Sequence, residues 1–318
     1  MFVFLIAALL IMWSAEIFVK GAVEISLALR LKKIFVAATI VSLVTTLPEF
    51  IVSVYSSSIG QPGMAVGNAV GSCICNIGLV LAVGAMMREV KVERQDFVPR
   101  MLGLLASLLI VYFASFDGVI SRTEALILLV FLAAYFGYNY RLARRRKEEI
   151  EDIEELADIK GKKADLFRGT GLFLTGGILT IIFARYGLVD TGLNAANLLN
   201  IPPILIGLTL TAIGTSLPEL FTAIASSREK HGDIIVGNVI GANVLDLLWV
   251  LGFAALLRPL SIDRQTLVFN MPFAIFITAV MFFFGLKGLN FGKSKGIVLL
   301  GLYVLYIVAL YMFLYGRA

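Results

Sequence analysis

Three acidic residues lie within stretches that are otherwise apolar. Glu49 follows Thr-Thr-Leu-Pro in one apolar run, Glu219 follows Thr-Ser-Leu-Pro in another, and Asp246 ends the stretch GNVIGANVLD in a third. A charged carboxylate at the centre of a lipid bilayer costs at least about 2.5 kcal/mol, so carboxylates in membrane-spanning segments generally have a function. Carboxylate oxygens are also preferred ligands of hard cations. The pattern therefore predicts cation binding inside a membrane.

Neutral oxygen atoms accompany these carboxylates. Asn76 lies in the stretch GNAVGSCICN, and Ser72 lies four residues earlier on the same face of the predicted helix. Side-chain hydroxyls flank both acidic motifs, at Thr45, Thr46, Thr215 and Ser216. This set of oxygen ligands needs no His or thiolate, so it suits Ca²⁺ and Na⁺ and argues against Zn²⁺ or Cu. No cofactor is expected.

Both acidic motifs indicate that a helix begins inside an apolar run. Each has capping-box spacing between a hydroxyl residue and Glu, with proline at a tolerated first-turn position. A helix that breaks at membrane depth is tolerated only where it is buried in protein or lines a cavity. The breaks free main-chain carbonyl oxygens near Ser42–Thr45 and Ala212–Thr215, which are further ligands for hard cations.

The composition indicates that lipid surrounds the protein. Of its 318 residues, 59% are hydrophobic and 15% are charged, whereas a soluble domain carries about 25% charged residues. A bilayer-spanning helix needs about 20 apolar residues, and ten segments qualify: 2–27, 34–57, 62–86, 98–116, 122–140, 168–188, 201–226, 233–257, 266–286 and 295–315. The predicted fold is an all-α integral membrane protein with ten transmembrane helices, of which helices 2 and 7 are broken. The net charge of +5 lies mostly between the spans and does not suggest a nucleic-acid partner.

The two halves of the chain are related by a constant offset of 170 residues. This offset aligns Glu49 with Glu219 and Asn76 with Asp246, and it needs no gap between the acidic motifs and the two GN stretches. Five spans in each half mean that the second copy enters the membrane from the opposite face. Such inverted-topology repeats are typical of transporters, whose binding site lies near the midplane where the repeats meet.

Basic residues indicate which loops face the cytoplasm, because short loops rich in Lys and Arg tend to remain there. Loops after odd-numbered spans are the richer ones, which predicts that both termini are extracellular. The predicted organisation is a first five-helix repeat at 1–140, a charged cytoplasmic linker at 141–167 and a second, inverted repeat at 168–318. We expect a multi-pass protein of a prokaryotic plasma membrane with no obligate protein partner.

Other classes of membrane protein have less support. An intramembrane enzyme would need a catalytic set within the spans, but no Ser–His–Asp or metal-hydrolase set is found there, and the single His231 lies in a loop. A channel or a sensor rarely needs inverted repeats. We therefore expect a transporter and not an enzyme.

The motifs resemble those of a known family. TTLPE with GNAVGSCICN, and GTSLPE with GNVIGANVLD, are similar to the two α-repeats of the sodium/calcium exchanger family, prokaryotic type, within the cation/Ca²⁺ antiporter superfamily. The resemblance implies secondary active antiport of Na⁺ for Ca²⁺ by alternating access, with the first and sixth spans sliding across the core. It also implies that the two transported ions compete for carboxylates at the midplane.

The resemblance further implies a role for each site residue. Glu49 and Glu219 would hold Ca²⁺ together with the main-chain carbonyls of Thr45 and Thr215. Na⁺ would share the two glutamates and use flanking oxygens, which come from Ser42, Thr45 and Ser72 on one side, Ala212 and Thr215 on the other, and Asn76 and Asp246 in the middle.

Three positions depart from the family pattern. Thr46 replaces Ser, Cys73 replaces Asn, and Ala242 replaces a Ser whose hydroxyl would contribute to one sodium site. Exchange of H⁺ for Ca²⁺, or K⁺-dependent exchange of Na⁺ for Ca²⁺, is therefore an alternative within the same superfamily.

Overall fold

The computed structural model describes residues 45–145, 166–229 and 232–315, together with isolated residues before position 45. Several predicted features lie outside the described residues: Ser42, His231, most of the 141–167 linker and parts of the first two spans. Within the described residues, the chain is helical except for four two-residue strands and short connections. The predicted all-helical class is therefore confirmed.

The first half contains five described helices: α1 (Leu47–Ser58), α2 (Pro62–Cys75), α3 (Ala82–Met87), α4 (Arg94–Ala114) and α5 (Arg122–Arg145). A π-helical stretch, Asn76–Leu81, joins α2 to α3 and makes them one continuous helix of 26 residues. Two short strands, β1 (Val90–Lys91) and β2 (Val119–Ile120), lie in the loops that follow α3 and α4.

The second half continues with nine helices in the described residues: α6 (Leu166–Phe183), α7 (Asp190–Leu199), α8 (Pro203–Ile206), α9 (Ala212–Thr215), α10 (Leu217–Glu229), α11 (Gly232–Leu245), α12 (Leu251–Leu257), α13 (Met271–Leu286) and α14 (Lys293–Tyr315). Four π-helical stretches lie between or before them: Ala184–Val189, Gly207–Thr211, Asp246–Val250 and Thr266–Asn270. Strands β3 (Leu260–Ser261) and β4 (Asn290–Phe291) complete the described elements.

Seven helices of the described residues are long and apolar enough to cross a membrane: Pro62–Met87, Arg94–Ala114, Leu166–Leu199, Pro203–Arg228, Ile235–Leu257, Thr266–Leu286 and Lys293–Met312. They correspond to predicted spans three, four and six to ten. The predicted fifth span is also a single helix, α5, but its charged and polar ends make it less apolar than the seven. The ten-span arrangement itself stays a prediction.

The sixth span is longer than the sequence predicts. The apolar run ends before polar residues such as Asp190, so the sequence predicts that the span ends at 188. In the structure the helix continues to Leu199 and covers 34 residues. It ends at Asn200, which adopts a left-handed conformation with φ of 52°. Asparagine tolerates this conformation better than most residues, so it can end a helix.

The two halves contact one another through reciprocal pairs. The Ser57 hydroxyl donates to the Ala254 carbonyl at 2.8 Å, and the hydroxyl of Ser227, 170 residues later, donates to the Gly84 carbonyl at 3.3 Å. Strand β1 pairs with β4 and strand β2 pairs with β3, both antiparallel. Each of these contacts from the first half to the second is matched by one in the reverse sense.

Helix α2 forms the centre of the packing. Every residue from Met64 to Cys75 is buried, and the helix packs against α8, α9 and the π-helical stretch between them. Two glycines make this approach possible, since a Cβ atom at Gly67 would collide with the Ile204 carbonyl and one at Gly71 would lie 2.7 Å from the Leu208 carbonyl oxygen. Small residues at such contacts are typical of helices packed within membranes.

Candidate cation-binding site

Three carboxylates come together in the interior of the protein. Glu49 lies in the first turn of α1, Glu219 lies in the first turn of α10, and Asp246 opens the π-helical stretch after α11. Their exposed fractions are 0, 1 and 0%. The three groups are close enough to interact electrostatically. The structure thus gathers the acidic residues that the sequence singles out.

Most oxygens of this cluster make no hydrogen bond of ordinary length and geometry. Oε2 of Glu49 and both carboxylate oxygens of Glu219 and Asp246 are buried without a hydrogen-bond partner among the described residues. The carboxamide oxygen of Asn76 and the hydroxyl oxygen of Thr46 share this condition. Buried polar atoms in native proteins are nearly always satisfied by protein or water, so a set of unsatisfied acceptors indicates a bound species that the protein itself does not supply.

The cluster also lacks a compensating positive side chain. No Lys, Arg or His is buried within the part of the chain that the structure describes, whereas the three carboxylates are buried almost completely. Buried charges in proteins are normally paired or coordinate a metal ion. Since the described side chains offer no ion pair here, cations are the species that these oxygens fit.

One turn residue lies in front of each glutamate-bearing helix, close to the carboxylates, and the predicted helix breaks at these two places stay a prediction. Thr46 and Ser216 are single turn residues in front of α1 and α10, with ψ of 0° and 8°, and their carbonyls still accept helical hydrogen bonds from the N–H groups of Phe50 and Leu220. Neither hydroxyl acts as a helix cap in the way the capping-box spacing predicts: Thr46 makes no side-chain cap, and the Ser216 hydroxyl donates to Oε1 of Glu49 in the other half at 3.3 Å. Pro218 has no N–H, so the Gly214 carbonyl lacks its usual helical donor.

Hydroxyl residues of the first and second halves meet at the site. The side-chain oxygens of Ser72 and Thr215 are 3.5 Å apart. The Thr215 hydroxyl also donates to Oδ1 of Asn68 at 3.2 Å, while Asn68 Nδ2 donates to the main-chain carbonyl of Glu49 at 3.2 Å. Asn68 therefore ties the backbone of the first acidic motif to the hydroxyl of the second.

Asn76 is held by an asparagine of the opposite half. Its Nδ2 donates to Oδ1 of Asn243 at 3.0 Å, and Nδ2 of Asn243 donates to the main-chain carbonyl of Cys73 at 3.2 Å. Both asparagines are buried almost completely. Asn76 lies at the start of a π-helical stretch, as Asp246 does, and such stretches are frequent at functional sites.

The remaining predicted residues are placed as follows. Thr45 is 7% exposed and lies directly before the turn residue Thr46, whereas Ala212 is fully buried and begins α9. Ser42 lies outside the described residues. Throughout the described residues, no three His, Cys, Asp or Glu side chains converge closely enough to hold one metal ion. Any single ion here would therefore be shared between acidic and neutral oxygens.

A sequence profile for the family described as "Sodium/calcium exchanger protein" matches residues 1–141 and 169–312. The chain belongs to this family. The unmatched stretch between the two ranges coincides with the charged segment that the sequence predicts to be a linker. Membership places this exchanger-family protein among membrane transporters and not among catalytic enzymes, and it confirms the family that the motifs resemble.

Individual relatives cover nearly the whole chain. The inner membrane protein YrbG of Escherichia coli (strain K12) is 34% identical over 316 residues, which are 96% of this chain and 95% of the relative. The sodium/calcium exchanger MaX1 of Methanosarcina acetivorans is 28% identical over 349 residues, with 97% of each chain covered. The solved structure of the sodium-calcium exchanger NCX_Mj, soaked with Na⁺ and Sr²⁺, superposes with a TM-score of 0.66 at 28% identity, covering 96% of this chain and 97% of that one.

Two asparagines of this exchanger-family protein lie at the site although they are not among the predicted ligands. In the sequence, Asn68 is marked only by the Gly-Asn pair that occurs at the same place in both halves. Asn243 carries a weaker signal, because the 170-residue offset aligns it with Cys73 and thus with a residue of different chemistry. The duplicated GN pair favours a hydrogen-bonding role for Asn68, and its Nδ2 does donate to the Glu49 carbonyl. The contact of Asn243 with Asn76 joins the two halves, and no local pattern predicts it.

Proposed function

We propose that this exchanger-family protein is a secondary active antiporter that exchanges Na⁺ for Ca²⁺ across the membrane. The observation that carries the proposal is the buried cluster of Glu49, Glu219 and Asp246. Five of its six carboxylate oxygens make no hydrogen bond, and no buried cationic side chain lies beside them in the described residues. Binding of either ion compensates the same carboxylates, so the two ions compete. That competition couples their fluxes.

The proposed Ca²⁺ position uses two carboxylates and neutral oxygens. Ca²⁺ takes about six to eight oxygen ligands in a flexible geometry. Glu49 and Glu219 supply the charge, and the main-chain carbonyls of Thr45 and Thr215 supply neutral oxygens at the helix breaks. This division agrees with the finding that no three acidic side chains of the described residues converge on one point.

The proposed Na⁺ positions share Glu49 and Glu219 with Ca²⁺ and add surrounding oxygens. These come from Ser42, Thr45, Thr46 and Ser72 near the first break, from Ala212, Thr215 and Ser216 near the second, and from Asn76 and Asp246 between them. The unsatisfied oxygens of Thr46, Asn76 and Asp246 support this assignment.

We propose that the halves are inverted five-helix repeats that alternate access to the site. The reciprocal hydrogen bonds of Ser57 and Ser227, and the pairing of β1 with β4 and of β2 with β3, support a two-fold relation between the halves. An inverted repeat lets one site face either side of the membrane through two related arrangements of the same contacts.

The first and sixth spans are the proposed moving unit. Their described residues pack very closely: a Cβ atom at Gly21 would collide with the backbone of Phe173, and one at Gly176 would collide with the backbone of Phe18. A buried hydrogen bond of 2.9 Å joins the hydroxyls of Thr180 and Ser14. Such close contact favours movement of the two helices together. We place the protein in the plasma membrane with both termini outside and the 141–167 segment in the cytoplasm.

Uptake of ⁴⁵Ca²⁺ into proteoliposomes tests the proposed exchange. Vesicles loaded with Na⁺ and diluted into Na⁺-free buffer are expected to accumulate Ca²⁺, because outward Na⁺ flow drives Ca²⁺ inward through the shared site. Vesicles loaded with K⁺, and vesicles with only a pH gradient, serve as controls. Uptake that follows the proton gradient, or that requires K⁺ together with Na⁺, would replace Na⁺/Ca²⁺ exchange by one of the related modes.

Restoring a hydroxyl at Ala242 is expected to strengthen Na⁺ binding. The offset aligns Ala242 with Ser72, whose hydroxyl contacts Thr215, so Ala242→Ser places a hydroxyl in the equivalent position toward Thr45. The Na⁺ concentration for half-maximal exchange should fall by up to about tenfold, which corresponds to about 1.4 kcal/mol of added interaction. Ala85→Ser introduces a buried hydroxyl outside the site and should leave the Na⁺ concentration for half-maximal exchange unchanged. An unaltered Na⁺ dependence in Ala242→Ser would contradict the proposed Na⁺ position.

A further inference from the structure

We propose that Asn243 is a positioning residue that aims the carboxamide oxygen of Asn76 at the transported ion. The inference rests on the proposed function, since it assigns a role within that same site. Asn243 itself does not need to touch the ion: it holds Asn76 through one hydrogen bond of 3.0 Å and is held in turn by the Cys73 carbonyl at 3.2 Å.

The direction of these hydrogen bonds follows from a single main-chain group. The carbonyl of Cys73 can only accept, so Asn243 must turn its Nδ2 toward it. The Oδ1 of Asn243 then faces Asn76 and can only accept as well. Asn76 must therefore present Nδ2 to Asn243, which leaves its own Oδ1 pointing away. The observed bonds have this polarity throughout.

The Asn76 oxygen that is not used in these hydrogen bonds is the atom that can bind a cation. Oδ1 of Asn76 is buried and has no hydrogen-bond partner in the described residues. If the amide turned over, Oδ1 would oppose Oδ1 of Asn243, and the NH₂ group would occupy the position of the ligand. Both residues are at most 1% exposed in this conformation, so the mismatched pair has no contact with solvent here, and an unpaired buried group is costly.

The pseudo-equivalent positions in the other half explain why one asparagine is enough. The 170-residue offset aligns the ligand Asn76 with Asp246, and it aligns Asn243 with Cys73. A carboxylate offers acceptor oxygens on both sides, so Asp246 needs no neighbour to choose its orientation. Asn243 donates its amide N–H to the Cys73 carbonyl, and in the corresponding contact Cys73 donates only its Sγ–H, weakly, to the Asn243 carbonyl at 3.6 Å. A positioning amide is thus present where the ligand is an amide and absent where the ligand is a carboxylate.

The test combines two substitutions and measures ion binding without transport. Full-length wild type, Asn243→Leu, Asn76→Ala and the double variant are purified in detergent, and the melting temperature is followed as Ca²⁺ or Na⁺ is added, since a ligand that binds the folded state raises it. Asn243→Leu is expected to weaken the affinity for at least one of these ions by about 10- to 100-fold, the usual effect of losing a group that orients a ligand. In the Asn76→Ala background, Asn243→Leu should cause little further loss.

Controls separate positioning from folding. Ser57→Ala removes another buried hydrogen bond between the halves and should lower the melting temperature in ion-free buffer without changing ion affinity. If Asn243→Leu does not fold, Asn243→Ala replaces it in the same cycle. Wild-type affinity in the single Asn243 variant, or an equal loss with and without Asn76, overturns the positioning role.

The same data distinguish this inference from the proposed function. If Asn76→Ala weakens binding while the Asn243 variants do not, the ion site stands and only the positioning role fails. If neither Ca²⁺ nor Na⁺ stabilises the wild-type protein, the proposed function itself fails and the positioning role fails with it.

Discussion

Replacing Glu49 or Glu219 with glutamine is expected to reduce Na⁺-driven ⁴⁵Ca²⁺ uptake to the background of protein-free vesicles. Each substitution removes one of the two carboxylates assigned to Ca²⁺, and it introduces an NH₂ donor where the ion needs an acceptor. The loss should appear in initial uptake rates at saturating Ca²⁺ as well as in affinity, because the carboxylates take part in every step of the exchange.

These substitutions should abolish uptake without lowering the stability of the ion-free protein. An uncompensated buried charge destabilises a fold, and replacing it with a neutral group of similar volume is often neutral or stabilising. In ion-free detergent solution, Glu219→Gln should therefore melt at the same temperature as wild type or higher, while the shift produced by Ca²⁺ should disappear. Glu89→Gln is the matched control, because Glu89 is exposed and its amide replacement keeps an acceptor for Asn290. Near-normal uptake in either site variant would rule out the assigned roles.

Adding one methyl group at Gly71 is expected to have the second large effect. A Cβ atom there would lie 2.7 Å from the Leu208 carbonyl oxygen and 2.9 Å from the Ala212 Cβ atom. These neighbours belong to the backbone and to a short side chain, so they cannot move aside independently. Overpacking of this kind costs about 1–3 kcal/mol. Gly71→Ala should lower the melting temperature in detergent and reduce exchange, because the same contact places Ala212 beside the site.

The control for Gly71 is a glycine with free space around it. Gly301 lies in α14, and among the described residues no atom lies within 4 Å of the position that an added methyl group would take. Gly301→Ala should keep full exchange and leave stability unchanged or raised by up to about 1 kcal/mol, since alanine is the better helix former. Equal behaviour of the two alanine variants would mean that the close approach of α2 to the Gly207–Thr215 region is not required.

The local sequence by itself determined the setting and the chemistry of this protein. Composition and apolar run length indicate a membrane protein because burial in lipid constrains every residue of a span. Glu49, Glu219 and Asp246 stand out because charged groups are rare in such runs, and the constant offset between the halves follows from their duplicated motifs. The motifs also identified the family, which the match over residues 1–141 and 169–312 confirms.

The tertiary structure decided how the site is assembled. Capping-box spacing predicts that Ser216 serves its own helix, yet its hydroxyl donates to Glu49 from the other half. The length of the sixth span depends on an end at Asn200 and not on its apolar run. The orientation of Asn76 depends on Asn243, 167 residues away, and finally on one main-chain carbonyl. Hydrogen-bond direction is set by whichever acceptor the fold brings near, so residue types and spacing alone could not predict it.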